Sequence, residues 1–144
     1  MKRGLSGKLA LDTSALIELI FSSPTGLKLK EALKNERIKA YTTELHIAEL
    51  RYILCRRLGP TESNGRVNNL LTSCYVGVER ISHLCMEASK YKCERAISLA
   101  DCFCLALAKR YTYTATFARR ERDLIAEIQK EQFDVEISFL EDYI

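Results

Sequence analysis

Short apolar stretches typical of buried strands alternate with capped or amphipathic stretches typical of helices along this 144-residue sequence. Strands are predicted at residues 8–12, 38–42, 74–81, 111–117 and 135–139. Helices are predicted at residues 15–21, 27–35, 44–58, 61–72, 82–92, 99–110 and 118–131. The alternation indicates an α/β sandwich around a mainly parallel sheet of about five strands. No linker or repeat interrupts it, so we predict one domain over residues 1–144.

Composition excludes several classes of protein. Apolar residues make up 47% of the chain and charged residues 28%, which is typical of a globular protein and not of a disordered one. No apolar run approaches the ~20 residues that cross a bilayer, and we expect no secretory leader. The six cysteines are too few for a disulfide scaffold, and none forms a C-x-x-C motif. We interpret them as small buried side chains in a reducing cytoplasm.

Two further counts limit the chemistry of the chain. The two histidines, His46 and His83, are too few and too far apart in sequence for a histidine-based metal site. The net charge of +3 is too small for a uniformly basic nucleic-acid-binding surface. Any nucleic-acid contact therefore has to come from local clusters of basic side chains.

Three acidic residues stand out because of their apolar surroundings. Asp12 directly follows the apolar end of the first predicted strand, Glu49 lies in the apolar stripe of helix 44–58, and Asp101 opens the most apolar helix. Each has a plain structural explanation: Asp12 caps the next helix, Glu49 forms a salt bridge, and Asp101 closes a capping box with Ser98. Glu44 lies about 140° around the helix from Glu49 and is interpreted as a favourable first-turn acid.

Taken together, the three acids come from separate elements and meet at one end of a parallel sheet, where such folds bind ligands. Clustered carboxylates repel one another unless a cation offsets their charge. Oxygen ligands without His or Cys suit Mg²⁺ or Mn²⁺. The pattern therefore predicts a divalent metal site at this edge of the sheet.

Four segments, LALDTSALIELI, TTELHIAELRYIL, AISLADCFCLALAKR and YTYTATFARRERDL, follow one another in an order and spacing that resemble a PIN domain. The small single-domain members of that family are VapC-type toxins of toxin–antitoxin pairs. The resemblance implies a three-layer α/β/α sandwich and a ribonuclease that uses Mg²⁺ or Mn²⁺ to hydrolyse RNA phosphodiester bonds. It implies that Asp12, Glu49 and Asp101 are the catalytic, metal-holding acids, with Thr13 or Ser14 supporting Asp12.

The fourth acidic position departs from the family pattern. Thr116 stands where a T-x-D or T-x-N motif often carries an acid or amide. We expect Thr116 to hold a metal-bound water or Glu121, in a helical first turn, to supply the missing ligand, with Asp123 as a second possibility. Ion pairing with neighbouring arginines is the structural alternative for both acids.

The resemblance also implies binding partners. RNA is expected to contact a basic cluster, Arg119, Arg120 and Arg122, beside the acids. A homodimer and a small antitoxin protein are expected, and Leu27, Leu29 and Leu33 either serve such contacts or pack in the core.

Two other functions are weighed against the ribonuclease. A catalytically weak PIN-like module that binds RNA or protein is favoured by Thr116. A phosphatase with an aspartyl nucleophile usually carries D-x-D at the first strand, and Asp12-Thr13-Ser14 lacks the second Asp.

Overall fold

The computed structural model describes residues 4–143. Its strands are β1 (Gly7–Leu11), β2 (Ile38–Thr43), β3 (Val76–Glu79), β4 (Thr114–Phe117) and β5 (Ile137–Phe139). Its α-helices are α1 (Thr13–Phe21), α2 (Pro24–Lys34), α3 (Glu44–Leu58), α4 (Pro60–Thr72), α5 (Cys85–Glu94), α6 (Leu99–Tyr111) and α7 (Arg122–Lys130). Short 3₁₀ helices span Ser82–Leu84 and Leu140–Tyr143. None of the helices in this part of the chain combines the length and apolar character needed to span a membrane.

The five strands form one sheet in the order β3-β2-β1-β4-β5, and every neighbouring pair is parallel. The central strand β1 shows why the sheet is covered on both faces. Leu9 and Leu11 pack into a core with α1–α4, whereas Ala10 between them packs into a second core with α5, α6 and α7. The predicted three-layer α/β/α sandwich with about five mainly parallel strands is confirmed.

Several helices and strands begin at other residues than predicted, and one of these differences affects an acidic residue. The helix expected at 118–131 begins only at Arg122, so residues 118–121 form a loop after β4 and Glu121 is the N-cap of α7. The strand expected from residue 111 begins at Thr114, because α6 continues to Tyr111 and ends at Thr112 in the left-handed conformation. The helix expected from residue 27 begins at Pro24, because the Ser23 side chain caps it and proline suits a first helical turn.

The expectation that the cysteines are buried needs correction. Four of the six cysteines, Cys55, Cys74, Cys85 and Cys93, are exposed, whereas Cys102 and Cys104 are buried, and all six are free thiols. Of the exposed four, three lie in α3 or α5 and Cys74 lies in the loop between α4 and β3. Of the two alternatives for the early leucines, core packing holds for Leu29 and Leu33, and Leu27 is exposed.

Two helical glycines give a matched test of packing. A Cβ on Gly26 would overlap the main-chain carbonyl of Glu18, where α2 crosses closely over α1, whereas a Cβ on Gly65 in α4 would meet open space. We expect Gly26→Ala to lower the free energy of unfolding by about 3 kcal/mol or more, as for severe overpacking. Gly65→Ala should raise it by about 0.5–1 kcal/mol. Urea denaturation of both variants is the measurement, and equal effects would contradict the close crossing of α1 and α2.

Candidate active site

Asp12 lies at the carboxyl end of the central strand and forms the N-cap of α1. Its Oδ2 accepts hydrogen bonds from the Ser14 main-chain N–H at 3.1 Å and from the Ser14 hydroxyl at 2.7 Å. Its own main-chain N–H donates to the Thr116 carbonyl at 2.9 Å, which fixes it against β4. The helix-capping explanation is therefore correct, and the side chain is also 5% exposed at the strand end, where the metal site is predicted.

Ser14 connects Asp12 to the loop that follows β4. While its hydroxyl donates to Asp12, its Oγ accepts a hydrogen bond from the Ala118 main-chain N–H at 3.0 Å. The loop begun by Ala118 leads directly to Glu121. One hydroxyl thus ties the first acid to the segment that carries another acid.

Glu49 faces the same end of the sheet from the middle of α3. Its Oε1 accepts a hydrogen bond from the Thr13 hydroxyl at 2.6 Å. The two hydroxyls that follow Asp12 therefore bind different acids: Ser14 orients Asp12, and Thr13 orients Glu49. The expected supporting residues are both engaged with acids, although Thr13 holds a different acid from the one anticipated.

Asp101 is 6% exposed in the first turn of α6. The Ser98 hydroxyl accepts from its main-chain N–H at 3.1 Å, so the predicted N-cap is present. Burial and, after it, the negative charges of Asp12, Glu121 and Glu49 together raise the pKa of its carboxyl group from 3.8 to about 7, against a lowering by the hydrogen bond with Ser98. Asp101 therefore lies within electrostatic reach of three other acids.

Glu121 is the fourth acid of this group. Its pKa is raised by desolvation of the carboxyl group, although the residue as a whole is exposed, and next by the charge of Asp12. Arg119 lowers it, and Asp123 and Glu49 raise it less. The mutual influence of Asp12, Glu49, Asp101 and Glu121 defines what we call the acid cluster.

The structure places two other candidates away from the acid cluster and a third at its edge. The Thr116 hydroxyl donates to the Thr114 carbonyl at 3.1 Å and lies 3.2 Å from Ser138 Oγ, so it faces β5. Glu44 accepts from the Ile81 main-chain N–H at 3.3 Å, at the β3 side of the sheet. Asp123 is exposed in the first turn of α7, where its charge raises the pKa of Glu121 but is not among those that raise the pKa of Asp101.

Two of the three arginines proposed to contact RNA are paired with acids of the chain. Arg119 contacts Glu18 at 2.8 Å, and the Arg120 guanidinium binds Asp142 at 2.6 and 2.8 Å. Arg120 also donates to Glu141 at 3.0 Å. Arg122 is exposed at the start of α7, next to Glu121.

The donor set of the acid cluster fits a hard divalent cation, since it offers carboxylate oxygens and no sulfur. Burial is the largest cause of the raised pKa values of Asp101 and Glu121, and repulsion by the other acids adds to it, which a bound cation would relieve. Over residues 4–143, no three Asp, Glu, His or Cys side chains stand close enough together to form a ready-made metal site. Small side-chain movements toward a cation are therefore part of any binding event.

Sequence reasoning missed His46. Its ring is fully buried, and its Nε2 lies 3.7 Å from Asp12 Oδ1. The signal was in the spacing: His46 precedes Glu49 by three residues on α3, which places both on one side of the helix. The count of two histidines argued against a histidine-ligated metal site but said nothing about a histidine beside the acids.

Comparison with known proteins finds solved structures of similar fold, and three of them are representative. DNA-bound VapBC from Salmonella typhimurium matches with a TM-score of 0.68 at 12% identity, covering 92% of this chain and 98% of that one. VapBC2 from Rickettsia felis, bound to a fragment of its promoter, matches with a TM-score of 0.70 at 14% identity and the same coverage. VapC20 from Mycobacterium tuberculosis, a sarcin–ricin loop cleaving toxin, matches with a TM-score of 0.62 at 19% identity, covering 82% and 93%.

At these identities the similarity establishes the fold. No curated protein sequence matches the chain. The model of the PIN domain family matches residues 9–131, a range that runs from β1 to the end of α7 and includes every member of the acid cluster. The chain therefore belongs to the PIN domain family.

Proposed function

We propose that this chain is a metal-dependent ribonuclease that hydrolyses RNA phosphodiester bonds with Mg²⁺ or Mn²⁺, and that it acts as the toxin of a toxin–antitoxin pair. The observation that carries the proposal is the raised pKa of Asp101, to about 7, by burial and by the charges of Asp12, Glu121 and Glu49. Acids that raise one another's pKa destabilise the folded chain unless a cation offsets their charge, and perturbed acids of this kind are typical of functional sites.

Asp12, Glu49, Asp101 and Glu121 are the residues that would hold the cation. A bound divalent ion supplies a nucleophile from water near neutral pH and offsets the charge on the phosphate in transit. The protein prepares the ligands beforehand. Ser14 holds one oxygen of Asp12, and Thr13 holds one oxygen of Glu49, so each carboxylate keeps its second oxygen for the cation.

RNA has to approach an acidic centre, so cations near the rim must attract its backbone. Arg122 supports this role best because it is exposed and adjoins Glu121. Arg119 and Arg120 would first exchange their carboxylate partners for phosphates, which can also accept two N–H bonds from one guanidinium.

An antitoxin partner is proposed because solved structures of this fold from Salmonella typhimurium and Rickettsia felis are VapBC complexes. We also propose a homodimer in the cytoplasm.

A groove of about 450 Å³ between α1, α2 and α4 is the surface that we propose for the antitoxin. It has an apolar floor that includes Ile20 and Leu70, and a rim with Lys30, Lys34 and Arg66. It suits an acidic amphipathic segment. Co-purification of the product of an adjacent short reading frame with the tagged chain is the measurement.

The test of the nuclease is cleavage of end-labelled structured RNA by the purified chain. Cleavage is expected with Mn²⁺ or Mg²⁺, and it should stop on addition of EDTA and return when the cation is replaced. RNA binding without cleavage at any cation concentration would instead support the catalytically weak binding module.

Glu121→Gln and Asp123→Asn form a matched pair that tests the fourth ligand. Glu121→Gln is expected to weaken Mn²⁺ binding and lower kcat by about tenfold or more, because it removes a charge from the acid cluster. Asp123→Asn, two residues away and exposed, should change both values by less than about twofold. Calorimetric Mn²⁺ titration and single-turnover cleavage are the measurements. The reverse order of effects would assign the fourth ligand to Asp123.

A further inference from the structure

His46 is a fully buried polar side chain with a partner at each ring nitrogen. Its Nδ1 lies 2.6 Å from the Thr43 hydroxyl, and its Nε2 lies 2.9 Å from the Ala100 carbonyl oxygen. The carbonyl can only accept, so Nε2 carries a proton. Because Thr43 Oγ1 already accepts from the His46 main-chain N–H at 3.3 Å, its hydroxyl proton is available to Nδ1. The contacts therefore require a proton at Nε2.

This ring joins two elements that are distant in sequence. Ala100 directly precedes Asp101 in the first turn of α6 and is 54 residues from His46. The same Nε2 lies 3.7 Å from Asp12 Oδ1, while the hydrogen bonds from Ser14 go to Oδ2. One edge of the imidazole thus contacts the main chain that carries Asp101 and faces the oxygen of Asp12 that Ser14 leaves available.

We propose that His46 is a positioning residue, one that sets the separation of the Asp12 and Asp101 carboxylates by tying the start of α6 to α3. The inference rests on the proposed function in one respect: the two carboxylates are taken as ligands of one cation. An apolar side chain of similar size would fill the same volume, but it would leave the start of α6 without its link to α3. Side chains that orient metal ligands typically change metal affinity by 10- to 100-fold when they are removed.

Two amide substitutions separate the two ring nitrogens. In His46→Gln the side-chain amide nitrogen reaches about as far as Nε2 and keeps a donor for the Ala100 carbonyl. In His46→Asn the amide reaches only as far as Nδ1, so it keeps the Thr43 contact and loses the Ala100 contact. Both variants bury one amide group in the same place. The exposed His83 provides matched controls, His83→Gln and His83→Asn.

The expected results differ between His46→Asn and His46→Gln. His46→Asn should raise the Kd for Mn²⁺ by about tenfold or more and speed amide exchange at Asp101 and Cys102, whereas His46→Gln should stay within about threefold of the parent chain. In RNA cleavage, His46→Asn should lose rate at low Mn²⁺ and recover most of it at saturating Mn²⁺, with an unchanged KM for RNA. The His83 controls should match the parent chain throughout.

Three outcomes would overturn the inference. They are equal losses of Mn²⁺ affinity in the two His46 variants, no loss in His46→Asn, and an imidazole protonated only at Nδ1 in the ¹⁵N spectrum of the parent chain. The spectrum needs no variant, so it decides even if a variant fails to fold. Absence of Mn²⁺ binding and cleavage in the parent chain would defeat the proposed function instead, and amide exchange would still test the link from His46 to α6.

Discussion

Asp12→Asn is expected to reduce Mn²⁺-dependent RNA cleavage by roughly 10²–10³-fold while the chain stays folded. Asparagine keeps an oxygen for the Ser14 N–H, so the cap of α1 survives. The negative charge at the end of the central strand is lost, and that charge is the one that acts most strongly on both Asp101 and Glu121. Initial rates of cleavage and the circular dichroism of both proteins are the measurements.

Glu44→Gln is the control for that experiment. Glu44 is an exposed acid at the start of α3, bound to the Ile81 main chain and outside the acid cluster. The Glu44→Gln variant should retain nearly full RNA-cleavage activity. Comparable losses in the two variants would mean that cleavage depends on overall acidity and not on the acid cluster.

Asp101→Asn is expected to stabilise the cation-free chain by up to about 4 kcal/mol at pH 8 while abolishing cleavage. The folded-state pKa of Asp101, about 7, lies above its ordinary value of 3.8. Below about pH 4 both states hold the proton and Asp101 has no effect on stability. As the pH rises toward 7 the unfolded chain loses that proton first, so the folded state loses stability, and the full loss is present above pH 7.

The measurement is urea denaturation of the parent chain and Asp101→Asn between pH 4 and pH 8 in EDTA. The difference in unfolding free energy should grow from pH 4 to about pH 7 and then level off. Adding Mn²⁺ at pH 8 should reduce the difference in unfolding free energy between the two proteins, because a cation that binds only the folded parent chain stabilises that state. Asp123→Asn, exposed in α7, serves as the control. A difference that does not change with pH would contradict the assigned burial of Asp101 among other acids.

The alternation of strands and helices was sufficient to predict the fold because parallel strands are buried on both faces and appear as short apolar runs. Helix α3 matches its predicted range since Thr43 caps it and Gly59-Pro60 ends it. Residues 118–121 were assigned to a helix because Ala118 and the charged residues after it suit helical periodicity. Their loop conformation depends on the Ala118 N–H binding Ser14, a contact across the sheet that no local pattern contains.

The members of the acid cluster could be predicted from the sequence, but their hydrogen-bond partners could not. Asp12, Glu49 and Asp101 were recognisable because a charge inside an apolar run needs a partner. Which hydroxyl would hold which acid was not recognisable, since Thr13 and Ser14 are adjacent and differ only in the direction they face. The contacts of His46 could not be predicted from the sequence either, because the Ala100 carbonyl belongs to a helix far away in sequence.

The bond between the Ser14 hydroxyl oxygen and the Ala118 N–H spans 104 residues and joins the start of α1 to the loop after β4. A contact of this separation can be made only after a long loop has closed, which costs chain entropy. A nascent or truncated chain that ends before this loop therefore lacks Glu121 and its anchor together. We expect such a chain to lack Mn²⁺-dependent RNA cleavage, so the proposed nuclease would become active only after the loop that follows β4 has been made.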